Sequence, residues 1–477
     1  MMTIGESLVN SRQQEFPESS VKTLEKYVVD VMTKNKVPGL GLALIKDDSL
    51  IYSRGFGSRS IEEAKPATPD TLFGVGSVTK SFTALAIMQL VERGKLSVQD
   101  SVQKYIPNFR PGNDADKTQI FHLLTHTCGL PALGAAEVLI KRGIGQDDVG
   151  VPLGSIDDLV SHINEGATER AAKPGERFFY WNEGYALLGR IIELITGEEY
   201  GAYVTKNILK PLKMIRSSFS RDVLRNDKDA MTPYMPSKNG KLVSAPFPAH
   251  PLIDAAGGLI SSANELANYV LMCLSMGKFD DKQIIDSSLL KEAFHPHIQS
   301  GLPSSFGENK YGYGWLVTTN FLGHTLISHG GNIGVSTANI GFIPELGVGV
   351  TLASNSGLTP TSFIVLYALA LLAGKDPSEA LPFIKTENRL DAIAGHYESY
   401  KGITKFNIRR QGFMLYAEFK DELGSQTFPL IPDGDGFYAL LGPEKMPVEV
   451  KIESVDKVDI FLERNRFHKV GKLNEPS

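Results

Sequence analysis

Ser77 and Lys80, set just behind Gly74 and Gly76, are the pair in this sequence best suited to covalent chemistry. The glycines break any regular element. An apolar stripe at Phe82, Leu85, Ala86 and Leu90, widened by Ile87, Met88 and Val91, then reads as a helix ending at Gly94. Ser77 is thereby placed at the helix mouth, where unpaired N–H groups and the positive end of the macrodipole face outward. Lys80 projects from the same face. A hydroxyl beside an amine that acts as or assists a base, at a position suited to a developing oxyanion, is what acyl transfer needs. Alone, Ser-x-x-Lys also describes a helix cap beside a solvated charge. Ser77 as nucleophile therefore depends on what the rest of the chain brings to it.

Two other stretches carry polar groups at element junctions. Pro174-Gly175 marks a turn, Arg177 to Tyr180 reads as a short strand, and Asn182-Glu183 caps a helix running to Thr196-Gly197. Tyr180 and Asn182 thus occupy a loop between rigid elements, where functional groups are often held; the plainer reading is a packed Tyr and a capping Asn. Leu326 to Gly334 contains His329-Gly330-Gly331-Asn332. The paired glycines permit close backbone approach by a ligand, although a tight hairpin would look the same. His122 and His126 are spaced i, i+4 but lack an HExxH pattern or a third ligand, so they read as structural or supporting residues. No metal or cofactor is expected. Cys128 and Cys273 read as isolated buried thiols.

The elements that must position these groups fall into two domains, as expected for 477 residues. After an N-terminal extension (1–20), residues 21–376 open with a helix over Val21–Lys34 and a hairpin of Gly39–Ile45 and Ser49–Gly55. Gly134–Glu165 looks like a glycine-dotted insertion near the substrate. A helix entered at Ser262 or Ala263, strands at Tyr313–Thr318, Thr337–Ile343 and Gly347–Ser354, and a helix over Thr361–Ala373 complete the domain. Strands at both ends with helices between suggest one mixed sheet with N- and C-terminal strands side by side. Residues 377–390 read as a linker, and 391–477 as a small antiparallel barrel of short alternating segments. Net charge of -5 gives no reason to expect nucleic acid or an anionic membrane as partner. The polar N-terminus does not read as a secretory signal, and Phe363–Ala373 is too short to span a bilayer, so a cytoplasmic location is expected. A P-loop and GxSxG are both absent, which weakens an α/β-hydrolase reading.

Ser77-Val78-Thr79-Lys80, Tyr180-Trp181-Asn182 and His329-Gly330-Gly331, in this order, resemble the serine β-lactamase-like superfamily of penicillin-binding proteins, class C β-lactamases, D-amino-acid peptidases and related esterases. Leu123-Leu124-Thr125-His126-Thr127-Cys128-Gly129-Leu130, Tyr185-Ala186-Leu187-Leu188-Gly189 and Ala256-Gly257-Gly258-Leu259 extend the resemblance, which covers about Val21 to Ala373. It implies an α/β (α+β) sandwich with an antiparallel, five-stranded type of sheet and a helical lobe, the site lying between them. By the same resemblance Ser77 attacks the carbonyl, and Lys80 and Tyr180 share proton traffic. Tyr180 is the general base and later the acid, Asn182 orients a substrate amide, and the N–H groups of Ser77 and Asn332 form an oxyanion hole. His329 stands where β-lactamases and most D-alanyl-D-alanine carboxypeptidases place a lysine that helps hold a carboxylate. A mostly neutral histidine holds one less strongly, which favours peptidases or esterases. The C-terminal segment, with Gly395-His396-Tyr397, resembles the lipocalin-like domain of D-amino-acid-specific relatives, where it trims the cleft or mediates homo-oligomers. The expected function is a serine hydrolase with an acyl-enzyme on Ser77, cutting peptides that contain D-residues. The alternatives are a carboxylesterase for short acyl chains and a non-catalytic penicillin-binding or sensing module.

Overall fold

A computed structural model describes residues 16–248, 250–421, 424–440 and 444–473, so most of the expected N-terminal extension lies outside the described residues. The chain divides into two compact units, one to Gly374 and one from Lys375 onward.

The first unit is built on a nine-stranded sheet. Its spatial order is Ile298–Gln299, Asn309–Tyr311, Leu316–Phe321, His324–Asn332, Thr337–Ile343, Val348–Ser354, Gly39–Lys46, Ser49–Ser60 and Lys65–Pro66. The N-terminal hairpin joins the C-terminal strands edge to edge, with Leu42 opposite Leu352. Every pairing in the sheet is antiparallel, where the strand pattern had suggested a mixed sheet. Strands that follow one another through short connections lie antiparallel, whereas a parallel neighbour needs a long crossover; Val348–Ser354 and Gly39–Lys46, far apart in the chain, also run antiparallel. Short edge strands widen the sheet beyond the five expected.

Gly39–Ile45, Thr337–Ile343 and Val348–Ser354 are buried along their whole length because helices cover both faces. A side chain at Gly341 would meet Val365 and Leu369 of the Thr361–Leu372 helix, whereas one at Gly349, on the opposite face, would meet Val270 of the Ala263–Leu274 helix. The Thr79–Glu92 helix is apolar on nearly every side and sits in the middle of the unit. Phe82 stacks on Tyr269 at 3.9 Å, and Tyr269 on Trp315 at 6.0 Å, fixing that helix against the sheet. Ile120–Leu124, Ala135–Gly143, Ile156–Glu165 and Asn182–Thr196 form the helical lobe. Asn182–Thr196 ends at Gly197 in the left-handed region, as its sequence predicted.

Two local expectations change, and one open alternative closes. Arg177–Tyr180 forms no strand. Instead Phe179 N–H and Trp181 N–H donate to the backbone oxygen and Nδ1 of His126, so a side chain takes the place of a sheet partner. His329-Gly330-Gly331 lies inside a strand rather than in a hairpin turn. The segment expected as a linker is helical, over Pro377–Ala380 and Pro382–Ile393. Its Leu390 and Ile393 pack into the second unit's core, which gives the segment an apolar face to bury.

That second unit is a closed antiparallel barrel of eight strands from Gly395 to Gly471. Its interior is filled by stacked rings: Phe406 on Phe419 at 4.6 Å and Phe419 on Phe428 at 5.6 Å. Eight strands enclose a space that side chains alone can fill. Among the described residues no helix is long and apolar enough to cross a membrane.

Candidate active site

Ser77 sits in a 3-10 turn, Gly76–Val78, that runs directly into the Thr79–Glu92 helix. Gly76 (φ +53°) makes the turn possible, and Gly331 lets the His324–Asn332 strand come against it. A Cβ at Gly331 would lie 2.6 Å from Ser77 N, and one at Gly76 would lie 2.8 Å from Asn332 N. The two amides assigned to the oxyanion hole are therefore brought to one place by backbones that only glycines allow so close.

Lys80 is fully buried beneath Ser77. Its Nζ lies 3.0 Å from Ser77 Oγ, 2.8 Å from Asn182 Oδ1 and 2.7 Å from the Ala256 carbonyl oxygen. Burial pulls its pKa down to about 7, against an opposing pull from the Glu137 and Glu183 carboxylates. As a neutral amine, Nζ has two hydrogens for Asn182 and Ala256 and a lone pair left for the Ser77 hydroxyl. The rings of Tyr180 and Tyr185, 4.9 and 5.5 Å from Nζ, are placed to stabilise the ammonium once formed.

Tyr180 hydrogen-bonds Ser77 from the other side. Desolvation raises its pKa above the ordinary phenol range, a shift that the Ser77 bond opposes and the Glu137 charge reinforces. The phenol therefore holds its proton. Of the two groups that were expected to share the proton traffic, the amine is by these shifts the readier acceptor and the phenol the readier donor.

His329 is buried and neutral, its pKa lowered to about 3 by desolvation and by the Lys80 charge. Its hydrogen bonds form a directed chain. Trp181 N–H donates to His126 Nδ1 (3.0 Å), so His126 carries its proton on Nε2 and donates to Tyr311 Oη (3.3 Å). Tyr311 in turn donates to His329 Nε2 (2.8 Å), and His329 Nδ1–H donates to the Gly330 carbonyl (2.7 Å). The tautomers follow from this network. Both imidazole nitrogens of His329 are thus occupied. His126 itself adopts φ +59°, a left-handed conformation rare for a non-glycine residue, while bonding both sides of Tyr180.

All eight residues singled out from the sequence converge here: Ser77, Tyr180, Asn182, His329, Gly330, Gly331 and Asn332 line one open cavity of about 760 Å³, with Lys80 directly behind Ser77. His126 takes a supporting place, and His122 accepts from Gln119 N–H as a helix-start partner. Sequence reasoning missed Tyr311 and Glu137. Tyr311 lies in a three-residue strand with no motif around it, and Glu137 lies in the insertion expected near the substrate. Among the described residues no group of His, Cys, Asp and Glu could hold a metal ion.

Residues 24–375 match the family model described as Beta-lactamase, and residues 377–468 match one described as Pab87 octamerisation domain. The octameric penicillin-binding protein homologue from Pyrococcus abyssi is 40% identical, covering 94% of this chain and all of its own (100%), with a TM-score of 0.85. A D-stereospecific amidohydrolase from Streptomyces sp. shares the fold at 23% identity, over 74% of this chain and 99% of its own, with a TM-score of 0.61. Protein flp of Staphylococcus aureus is 28% identical over 354 residues, 73% of this chain; the chain spans 64% of that protein's length.

Proposed function

We propose that this chain, which belongs to the beta-lactamase family, is a serine hydrolase that forms an acyl-enzyme on Ser77 and cuts small peptides containing D-residues. The observation that carries the reading is the placement of Lys80 Nζ, 3.0 Å from Ser77 Oγ with its two other neighbours both acceptors. The neutral amine takes the Ser77 proton as Oγ attacks the carbonyl carbon. The amides of Ser77 and Asn332 receive the developing oxyanion. Tyr180 then gives its phenolic proton to the leaving nitrogen and is reprotonated from Lys80. Water repeats the sequence on the ester with the same groups in reverse. Asn182, held by Lys80, presents its remaining amide hydrogens to the substrate backbone.

The preference for D-residues rests on the motif resemblance. Occupied nitrogens on a neutral His329 support the view that this pocket does not anchor a carboxylate as β-lactamases do. The apolar walls supplied by Ile140, Ile253, Ile333 and Phe178 also favour a second reading, a carboxylesterase for short acyl chains. Intact-mass analysis after fluorophosphonate treatment tests the acyl-enzyme: one adduct is expected on the native chain and none on Ser77→Ala. An unlabelled native protein would sink the reading and leave a non-catalytic binding module. Comparing D-aminoacyl p-nitroanilides with p-nitrophenyl butyrate separates peptidase from esterase. The family of the C-terminal unit supports a homo-oligomer formed through the barrel. Two unpaired buried cysteines fit a reducing, cytoplasmic setting.

A further inference from the structure

Among the described residues that line the cavity, Glu137 is the one Asp, Glu, Lys or Arg. It lies on the Ala135–Gly143 helix, with its side chain exposed to the cavity. Asn182 Nδ2 approaches one carboxylate oxygen at a long 3.4 Å, leaving most of the acceptor capacity of the group open. Asn182 is itself bound to Lys80, and Lys80 to Ser77, so two side chains separate the carboxylate from the nucleophile. Its charge reaches that far, for it raises the pKa values of both Lys80 and Tyr180.

Lys141, four residues on from Glu137, is not among the residues that line the cavity, and two other cations nearby are committed. Lys80 is enclosed by three partners, and Arg142, farther along the same helix, pairs with Asp148 at 2.9 Å. His329 is neutral, with both nitrogens used. The pocket therefore offers a substrate carboxylate no positive partner on its lining, and offers an ammonium one negative partner close to the reacting serine.

We propose that Glu137 is a specificity residue that binds the free α-ammonium of the acyl half of the substrate, so that amino-terminal aminoacyl amides or esters are preferred over N-blocked ones. This rests on the acyl-enzyme reading for its position next to Ser77. The ammonium would sit against the open acceptor sites of the Glu137 carboxylate, one carbon beyond the scissile carbonyl. Ala136, Ile140 and Ile253, which line the cavity around Glu137, would take an apolar side chain. Replacing the ammonium by an acetamide removes the charge and leaves the carboxylate to be desolvated without a counter-ion.

The test is a matched set of alanine p-nitroanilides, D and L, free and N-acetylated. They are assayed at pH 7, where an α-amine of pKa about 7.7–8.0 is still mostly protonated. The free amine is expected to lead in kcat/KM by about fivefold or more, the size of one partly desolvated ion pair. Glu137→Gln should bring the ratio of free to acetylated substrate to about one, and Glu137→Lys should turn the preference toward N-succinyl substrates. Calorimetric titration of Ser77→Ala with alaninamide and with N-acetylalaninamide reads the same preference without turnover. A protein that no fluorophosphonate labels but that binds alaninamide more tightly would lose the hydrolase reading and keep this one. Equal binding and equal kcat/KM for free and blocked forms would overturn the ammonium site, as would a ratio that Glu137→Gln leaves in place.

Discussion

Burial brings the Lys80 pKa down to about 7, so the neutral amine becomes accessible near neutral pH. The ammonium cannot accept the Ser77 proton, so turnover must rise with pH as the amine forms. On a neutral ester, kcat/KM is expected to climb through an acid limb centred near the Lys80 value of about 7. A limb in the ordinary carboxylate range would point to another base. Lys80→Arg should remove most of the activity, about 10²–10⁴-fold, because a guanidinium stays charged across the range. Tyr311 belongs to the same scale. Tyr311→Phe keeps the ring but deletes the donor to His329 and the acceptor for His126 Nε2–H, leaving two buried polar groups unpaired. We expect kcat to fall about tenfold with KM nearly constant, an effect of ~1.4 kcal/mol on the transition state alone. An unchanged kcat would show that the imidazole chain does not tune the site.

Among the elements, the Ala135–Gly143 helix stands out because it carries Glu137 and Ile140 to the cavity yet has no side-chain cap of its own. Its start is held from outside. Ala135 N–H donates to Glu183 Oε1 at 2.9 Å, whereas the other Glu183 oxygen is buried without a partner among the described residues. Burial raises the Glu183 pKa, so the anchor is a buried carboxyl on the neighbouring Asn182–Thr196 helix. Glu183→Leu removes a bond of the kind that caps a helix, worth ~1 kcal/mol. Hydrogen exchange over 135–143 should quicken several-fold and KM should rise more than kcat falls. Unchanged exchange there would mean that packing alone holds the helix.

For the whole molecule, assembly is tested on the second unit, which matches the family described as Pab87 octamerisation domain. Tyr400 and Ile403 are 72% and 79% exposed in the segment after the first barrel strand. Large apolar side chains left this open on a domain of this family suit an interface between copies. Native mass spectrometry of the full chain is expected to show an oligomer, and Ile403→Glu to shift it to smaller species while fluorophosphonate labelling persists. An oligomer indifferent to Ile403→Glu would place the interface elsewhere.

The juxtaposition of Ser77 and Lys80, the loop of Tyr180 and Asn182 and the glycines beside His329 were legible in the chain because each depends on short-range constraints. A helix needs a start, a strand needs alternation, and close backbone approach needs glycine. The hairpin at Gly39–Lys46 and the Gly197 cap are of the same local kind. Tyr311, Glu137 and the clamp that His126 places around Tyr180 were not, because nothing adjacent in sequence marks them. His126 and Trp181 bond across 55 positions, and His126 and Tyr311 across 185. The residue types and their order thus determined what chemistry this chain can attempt. Which nitrogen of each imidazole carries the proton, how far the Lys80 pKa falls, and which ionisable side chain lines the cavity were decided by tertiary packing. Those properties depend on desolvation and on partners that are neighbours only once the chain is folded.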